Sequence, residues 1–230
     1  NLGCRDRIQT GLSWAFSHVE KAIILEDDCL PAPSFFDFMD IALREYEDDE
    51  SVGMVSGTSY LWPPRRRTDK FYFSSLPHIW GWGTWKRVWQ DYEPAAESWA
   101  SCRQKDLLKE VFAYKVYRDT WTQILNNISL AKTWDYQWAF SLWNHKRLAL
   151  VPYVNLVQNL GLNGEGTHTL NEGSHPQNTV GAFTTENFVW KKPKRHWPND
   201  LLELTLFRIF AARQLGFRGS IRHLCRTFMR

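Results

Sequence analysis

Residues 22–36 read AIILEDDCLPAPSFF: four apolar residues stop in three acids, and an aromatic run follows two prolines. The apolar run 22–25 predicts a short strand of the buried, parallel kind. Pro31 and Pro33 mark a loop, and Ser34 can cap a helix that reaches about Tyr46. That helix would carry its apolar residues on one stripe: Phe35, Phe38, Met39 and Ala42.

The segments on either side continue an alternation of helix and strand. Residues 5–18 place Ile8, Leu12, Ala15 and Phe16 on one helical face, and the run Val52–Ser56 is strand-like. Helix, strand, helix and strand in this order are typical of an α/β sheet. Ligands of such sheets bind beyond the carboxyl ends of the strands, where Glu26, Asp27 and Asp28 stand.

The later chain is less regular. Residues 78–89 alternate aromatic residues with glycine and are expected to enter a helix near Thr84, and residues 105–131 have helical patterns. A helix is expected to begin near Asp135, a strand is expected at Leu148–Pro152, and residues 159–175 form a Gly/Asn-rich loop.

Composition excludes several classes of protein. The chain has 230 residues and a mass of 27.1 kDa, with 43% hydrophobic and 23% charged residues, so it is expected to fold around a core. No apolar run approaches the roughly 20 residues that span a bilayer. Its four cysteines are widely spaced and suggest neither a disulfide framework nor a zinc site. A reducing, cytoplasmic location is therefore expected.

Charge divides the chain in two. From Lys191 onward there are ten lysines and arginines against two acids, which leaves eighteen against twenty-three in residues 1–190. We expect a catalytic domain over 1–190 and a basic helical extension over 191–230. Residues 218–230 have the pattern of an interfacial helix, which predicts peripheral contact with the inner membrane face. Packing on its own domain or on a partner explains the pattern equally well.

Three consecutive carboxylates at a strand end repel one another, and a divalent cation such as Mg²⁺ or Mn²⁺ relieves that repulsion. A solvated acidic turn is the alternative. Asp135 stands at an expected helix start, where it either caps the helix or acts as a general base with a raised pKa. His168 lies in a loop that could wrap over a phosphate or a metal, and otherwise it is a surface residue.

Trp80, Gly81, Trp82 and Gly83 combine flat rings with unhindered backbone. They could form a floor beneath a sugar ring, and core packing with close glycine approach is the alternative. Residues 65–67, three arginines beside two prolines, are expected to be a solvated loop.

Taken together, these segments resemble the GT-A nucleotide-sugar glycosyltransferases, most closely the group around N-acetylglucosaminyltransferase I. The run Ile23–Phe36 is similar to that family's acidic motif, which also ends a strand and precedes a P-x-F-F helix. An aromatic/glycine segment ahead of a helix follows at His78–Trp89, then W-D-x-x-W at Trp134–Trp138. A G-T-H-T loop, Gly166–Thr169, is similar to that of bacterial members. The resemblance covers roughly residues 1–175.

The resemblance implies inverting sugar transfer from a nucleotide-diphosphate sugar to a glycan or lipid-linked hydroxyl. UDP-sugars are the first candidates for the donor. Asp28 would bind Mn²⁺ (or Mg²⁺) directly, with His168 binding the metal or the diphosphate. Asp135 would be the base. The residues implied in donor or substrate binding are Arg5, Glu26, Asp27, Trp80, Gly81, Trp82, Gly83 and Trp134.

The chain departs from the family in one respect. In the family the first strands precede the acidic motif, whereas here the motif stands at residue 26, which leaves no room for them. The expected fold is therefore α/β, a GT-A (Rossmann-like) fold that lacks its first strands and has a helical C-terminal tail. A metal-dependent phosphohydrolase is a second enzyme hypothesis. A non-catalytic carbohydrate-binding protein or inactive transferase fragment is the non-enzyme alternative. Nucleic acid is not expected as a partner, because the predicted cleft is acidic.

Overall fold

The computed structural model describes residues 2–60 and 71–163, and over these residues helices and strands alternate. The elements in chain order are α1 (Gly3–Phe16), β1 (Lys21–Ile24), β2 (Cys29–Pro31), α2 (Pro33–Glu45), β3 (Val52–Ser56), β4 (Phe71–Ser74), β5 (Trp82–Trp85), α3 (Lys86–Trp89), α4 (Trp99–Gln104), α5 (Leu107–Val111), α6 (Lys115–Asn126), α7 (Asp135–Asn144), β6 (Leu148–Pro152) and β7 (Val157–Asn159). Short 3-10 helices lie at Ile128–Leu130 and Leu160–Asn163. The mixed α/β architecture is confirmed.

Five strands form the main sheet of the described residues, in the order β1-β5-β3-β6-β4, and β2 pairs with β7 in a separate ribbon. Strands β3 and β6 are parallel, whereas β1 and β3 both run antiparallel to β5. Consequently β1, β3 and β6 point in the same direction, and their carboxyl ends lie at one edge of the sheet. The acidic turn follows one of these ends, and residues 57–60 follow another.

Strand β1 differs from its sequence prediction. It lies at the border of the sheet formed by the described residues and pairs antiparallel with β5, so it is not a buried parallel strand. Ile23 is 38% exposed and Leu25 is 39% exposed. The prediction is wrong because a short apolar run indicates a strand without specifying its neighbours or their direction.

Where a helix was expected near Thr84, the structure has the interior strand β5 followed by a single helical turn, α3. Side chains alternate between the faces of a strand, and β5 uses this alternation. A Cβ atom on Gly83 would lie 3.0 Å from Leu43 Cδ1 of α2, so glycine lets α2 approach the sheet. Trp82, on the opposite face, packs against Trp134 and Trp138.

The sheet is thus covered on both faces, by α2 on one and α7 on the other. Helix α2 buries its predicted stripe completely: Phe35, Phe38, Met39 and Ala42. Its C-terminal end is fixed to β5 because Trp85 Nε1 donates to the Leu43 carbonyl at 3.0 Å. On the other face, Trp143 of α7 donates to the Ser75 carbonyl at 2.6 Å.

Arg87 fixes the connection between α2 and β3. Its guanidinium stands over the Trp85 ring at 4.7 Å. It donates at 2.8 to 3.2 Å to four backbone carbonyls, those of Tyr46, Glu47, Asp49 and Val52. Burial lowers the pKa of Arg87. One side chain therefore holds four carbonyl groups of this connection.

Two sequence expectations, on the cysteines and on membrane-spanning helices, can be compared with the described residues. Cys4, Cys29 and Cys102 are free thiols. No helix in the described ranges combines the length and the apolar character that crossing a bilayer requires. The basic extension over 191–230, with the interfacial helix expected at 218–230, lies outside the described residues, as do residues 65–67.

Candidate functional site

The acidic turn joins the two sheets of the molecule. It leaves β1 in the main sheet and enters β2, which pairs with β7. Within the turn, the Cys29 amide donates to the Glu26 carbonyl at 3.0 Å. From the β7 side, the Leu160 amide donates to the Asp28 carbonyl at 2.7 Å. The backbone that carries the carboxylates is therefore hydrogen-bonded at both ends.

The three acids differ in their surroundings. Asp27 is exposed, whereas Glu26 and Asp28 are half-buried. Burial raises the pKa of Glu26, and the charges of Asp28 and Asp135 raise it further. Trp134 donates a hydrogen bond to the Glu26 side chain and acts in the opposite direction. Glu26 Oε1 is buried without a hydrogen-bond partner among the described residues. Unbalanced negative charge is therefore concentrated at this turn.

Asp135 is the first residue of α7, as the sequence predicts. Its carboxylate accepts hydrogen bonds from Thr133 Oγ1 and from the backbone N–H groups of residues 135 and 136. Burial nevertheless raises the pKa of Asp135. The N-cap of α7 is Trp134, so Asp135 is not the cap, and it has the raised pKa that the general-base prediction requires.

Asp135 and the acidic turn lie close enough to interact, although 107 positions separate Asp135 from Asp28. The pKa of Glu26 responds to both of these carboxylates. The start of α1 lies beside them, since the pKa of the Cys4 thiol is raised by burial and then by Glu26 and Asp135. The fold thus gathers acidic groups from β1 and α7 at one place.

The predicted sugar floor is wrong for Trp82 and Gly83. Trp82 is completely buried, with Trp134 stacked on it at 5.3 Å between ring centroids and Trp138 at the same distance. Gly83 lies within β5 and is buried beneath α2. Both belong to the core because β5 is a central strand, covered on both faces. The alternative prediction, core packing with close glycine approach, describes them.

Gly81 and Trp134 also have structural surroundings. Gly81 has φ +64°, and a Cβ atom there would stand 2.6 Å from Val157 Cγ2. Its carbonyl accepts from the Gly57 amide at 2.7 Å. Trp134 is only 1% exposed and reaches the site through its hydrogen bond to Glu26. We therefore assign Trp134 to positioning Glu26, and its ring is not available to stack on a sugar.

Trp80 and Arg5 keep partly exposed side chains. Trp80 meets Tyr60 edge to face, with 5.3 Å between ring centroids. Arg5 pairs with Asp6 at 3.0 Å and donates to the Ala131 carbonyl at 3.5 Å. Arg5 also lowers the pKa of Tyr92, which burial raises overall and Asp135 raises further. Arg5 is thus held by Asp6 and by the loop that precedes α7, and its charge and that of Asp135 both act on Tyr92.

A pocket that the sequence does not reveal adjoins Asp135. The space inside it that water can occupy is about 70 Å³. Besides Asp135, aromatic side chains line it: Tyr60, His78, Trp121 and Tyr136. They come from four separate segments, so no local pattern identifies them. Thr133 donates a hydrogen bond to Asp135 and was not predicted as a site residue. Its position two residues before Asp135 could have indicated this contact.

The predicted metal ligands are only partly within the described residues, because His168 lies outside them. Across residues 2–60 and 71–163, no three His, Cys, Asp or Glu side chains converge to hold a metal by themselves. The arrangement fits an ion that takes one or two protein carboxylates and completes its shell with phosphate oxygens and water. A cation bound at this turn would satisfy the buried Glu26 Oε1 and offset the negative charges that contribute to the raised pKa of Glu26.

No protein-family model matches the chain, and a search of curated proteins finds no significant similarity.

Proposed function

We propose that this protein is a metal-dependent inverting glycosyltransferase of the GT-A fold. Its donor would be a nucleotide-diphosphate sugar, with UDP-sugars as the first candidates. Its acceptor would be a hydroxyl of a glycan or a lipid-linked saccharide. The observation that carries the proposal is the contact between the start of α7 and the acidic turn, where Trp134 hydrogen-bonds Glu26 and the charge of the adjacent Asp135 raises the pKa of Glu26. The sequence resemblance assigns different roles to these carboxylates, and transfer needs them in one site.

The fold agrees with this proposal at a coarse level. The sheet is mixed, the acidic turn follows β1, and the carboxyl ends of three strands share the edge where the turn lies. Ligands of open α/β sheets bind at such edges. The finer GT-A assignment rests on the ordered motifs Ile23–Phe36, His78–Trp89 and Trp134–Trp138.

In the proposed reaction, Asp135 is the general base. The acceptor oxygen forms a bond to the anomeric carbon while the bond from that carbon to the diphosphate oxygen breaks. The hydroxyl proton passes to Asp135, and the bonding electron pair leaves with the nucleoside diphosphate. Burial raises the pKa of Asp135, which makes its carboxylate a stronger base than an exposed aspartate.

Asp28 would hold Mn²⁺ or Mg²⁺, with His168 as the further proposed ligand. The bound ion would stabilise the negative charge that develops on the leaving diphosphate. Glu26 is oriented by Trp134 and adds a negative charge beside Asp28 that a bound cation would offset, and the exposed Asp27 is accessible to a donor ribose or sugar. Arg5 supplies a second positive charge toward a donor phosphate.

A non-catalytic carbohydrate-binding protein is the second candidate, and the aromatic pocket beside Asp135 is the observation that favours it. Such a protein would bind sugars without a metal. It would also tolerate the loss of Asp28, since that residue does not line the pocket. These two properties separate it from a transferase.

The test is calorimetric titration of a nucleotide-sugar panel, UDP-sugars first, with and without Mn²⁺, into the parent and Asp28→Asn. Asp40→Asn is the matched control, because Asp40 is an exposed aspartate of α2 that pairs with Arg44. We expect binding that requires Mn²⁺, is lost in Asp28→Asn and persists in Asp40→Asn. Absence of nucleotide-sugar binding in the parent contradicts the proposal. Sugar binding that ignores both metal and Asp28 supports the second candidate.

A further inference from the structure

Thr133 stands two residues before Asp135, and the two side chains are in direct contact. Thr133 Oγ1 donates a hydrogen bond to Asp135 Oδ1, and the pair is partly buried. An ionised carboxylate only accepts hydrogen bonds, so the threonine hydroxyl must direct its proton at the Asp135 oxygen. The contact therefore favours one rotation of the carboxylate over the others.

The loop that carries Thr133 is attached to the rest of the fold on both sides of this residue. Before it, the Ala131 carbonyl accepts from Arg5 Nη1 at 3.5 Å. After it, the Trp134 carbonyl accepts from the Tyr92 hydroxyl at 3.3 Å. Because the backbone is held at both points, the threonine hydroxyl can fix the carboxylate rather than follow its movements.

The same hydrogen bond also acts on the charge of Asp135. Burial raises the pKa of Asp135, and the bond from Thr133 acts in the opposite direction because it stabilises the ionised form. Glu26 and Asp135 repel each other when both are ionised. Thr133 therefore favours an ionised Asp135 against burial and against Glu26. The titratable or charged groups around Asp135 include, among the described residues, Cys4, Arg5, Glu26, Tyr60, His78, Tyr92 and Tyr136.

We infer that Thr133 is a positioning residue for Asp135, and that its hydroxyl fixes the rotation of the carboxylate that takes the acceptor proton. The role of Asp135 as base rests on the proposed function, whereas the contact between the two side chains does not. The inference requires the hydroxyl of Thr133 and not its methyl group. Serine should therefore replace threonine at this position, and valine should not.

The test is a titration of the Asp135 carboxyl group by ¹³C NMR, in the full chain labelled at its aspartate side chains. The Asp135 resonance is identified by its absence from Asp135→Asn. Thr133→Val keeps the shape of the side chain without the hydroxyl, Thr133→Ala removes the hydroxyl in a second way, and Thr133→Ser keeps it. Thr10→Val is the matched control, because the Thr10 hydroxyl donates within α1 to the Asp6 carbonyl at 2.7 Å and not to a carboxylate.

We expect the midpoint of the Asp135 titration to rise by about one pH unit in Thr133→Val and Thr133→Ala, because each loses a hydrogen bond to a charged group. Thr133→Ser and Thr10→Val should titrate like the parent. The acidic limb of the pH profile of kcat/KM for sugar transfer should move upward by the same amount, which a loss of stability alone would not produce. An unchanged midpoint in the two variants without the hydroxyl overturns the inference, as does a serine variant that titrates like them.

Failure of this inference can be told from failure of the proposed function, because the NMR titration needs no turnover. Sugar transfer by the parent, with an acidic limb that Thr133→Val leaves in place, would refute the role of Thr133 alone. A titration midpoint that rises in Thr133→Val, in a protein that transfers no sugar, would support the contact with Asp135 and refute the transferase.

Discussion

Replacing Asp135 with asparagine separates its proposed catalytic role from its structural one. The asparagine Oδ1 can accept from two of the three donors around the Asp135 carboxylate, which are Thr133 Oγ1 and the backbone N–H groups of residues 135 and 136, so most of the local hydrogen bonds are retained. What is lost is the negative charge. A charge near a helix N-terminus stabilises by about 0.3–1 kcal/mol, and here burial opposes it. We expect the free energy of unfolding to change by less than about 1 kcal/mol.

The expected effect on transfer is much larger. Removal of a general base lowers the rate by about 10²–10⁴-fold, which corresponds to about 3–5 kcal/mol of activation free energy. Single-turnover transfer of a labelled sugar, beside urea denaturation of the same preparations, compares the two quantities directly. Asp40→Asn is again the control.

The pH dependence of the parent gives a second measurement of the same residue. A base must be ionised, so kcat/KM should fall as the pH drops through the pKa of Asp135, above the ordinary range of aspartate. The sign for stability is opposite. The folded state holds the Asp135 proton more tightly than the unfolded chain, so this residue's stability contribution declines as the pH rises through that raised pKa. Activity of Asp135→Asn within tenfold of the parent, at normal stability, would falsify the assignment of the base.

Three further predictions concern the scaffold around the site. Arg87→Lys should lower the free energy of unfolding by about 2–4 kcal/mol, because one ammonium cannot replace the fork that serves four carbonyls; a loss below about 1 kcal/mol in urea denaturation would contradict this. Gly81→Ala should cost about 1–3 kcal/mol, since its φ is +64° and the new Cβ would stand 2.6 Å from Val157 Cγ2; unchanged thermal unfolding would show that the backbone here adapts. Cys29 should resist alkylation at neutral pH, because burial raises its pKa to about 12, and peptide mapping after iodoacetamide treatment should find exposed Cys4 modified first; prior modification of Cys29 would refute that order.

Local sequence was sufficient to predict strands and helices that need only some apolar surface to pack against. The run Val52–Ser56 and the run Leu148–Pro152 are strands with the predicted bounds, and α2 buries its predicted stripe. Strand β5 was not predicted, because a Trp-Gly-Thr-Trp segment has meaning only once helices cover both faces of the sheet. The direction of β1 was wrong for a related reason, since strand pairing is a property of distant segments.

The same contrast between local signals and distant contacts applies to the site. Asp28 and Asp135 were chosen from sequence, and the fold brings the segments that carry them together around Glu26. Trp82 was misassigned because exposure of a tryptophan depends on what packs against it. The pocket was missed because Tyr60, Trp121 and Tyr136 become neighbours only through the tertiary fold.

The ribbon of β2 and β7 gives the acidic turn a mechanical property. Two amides cross between these segments: Leu160 donates to the Asp28 carbonyl at 2.7 Å, and Ala32 donates to the Leu156 carbonyl at 2.8 Å. The backbone of Asp28 is therefore coupled to β7, so a movement of β7 would move Asp28 as well. A displacement of the chain beyond β7 would be transmitted to the carboxylates without any side chain acting as intermediary. Amide hydrogen exchange at Leu160 would measure how often the hydrogen bond to the Asp28 carbonyl opens.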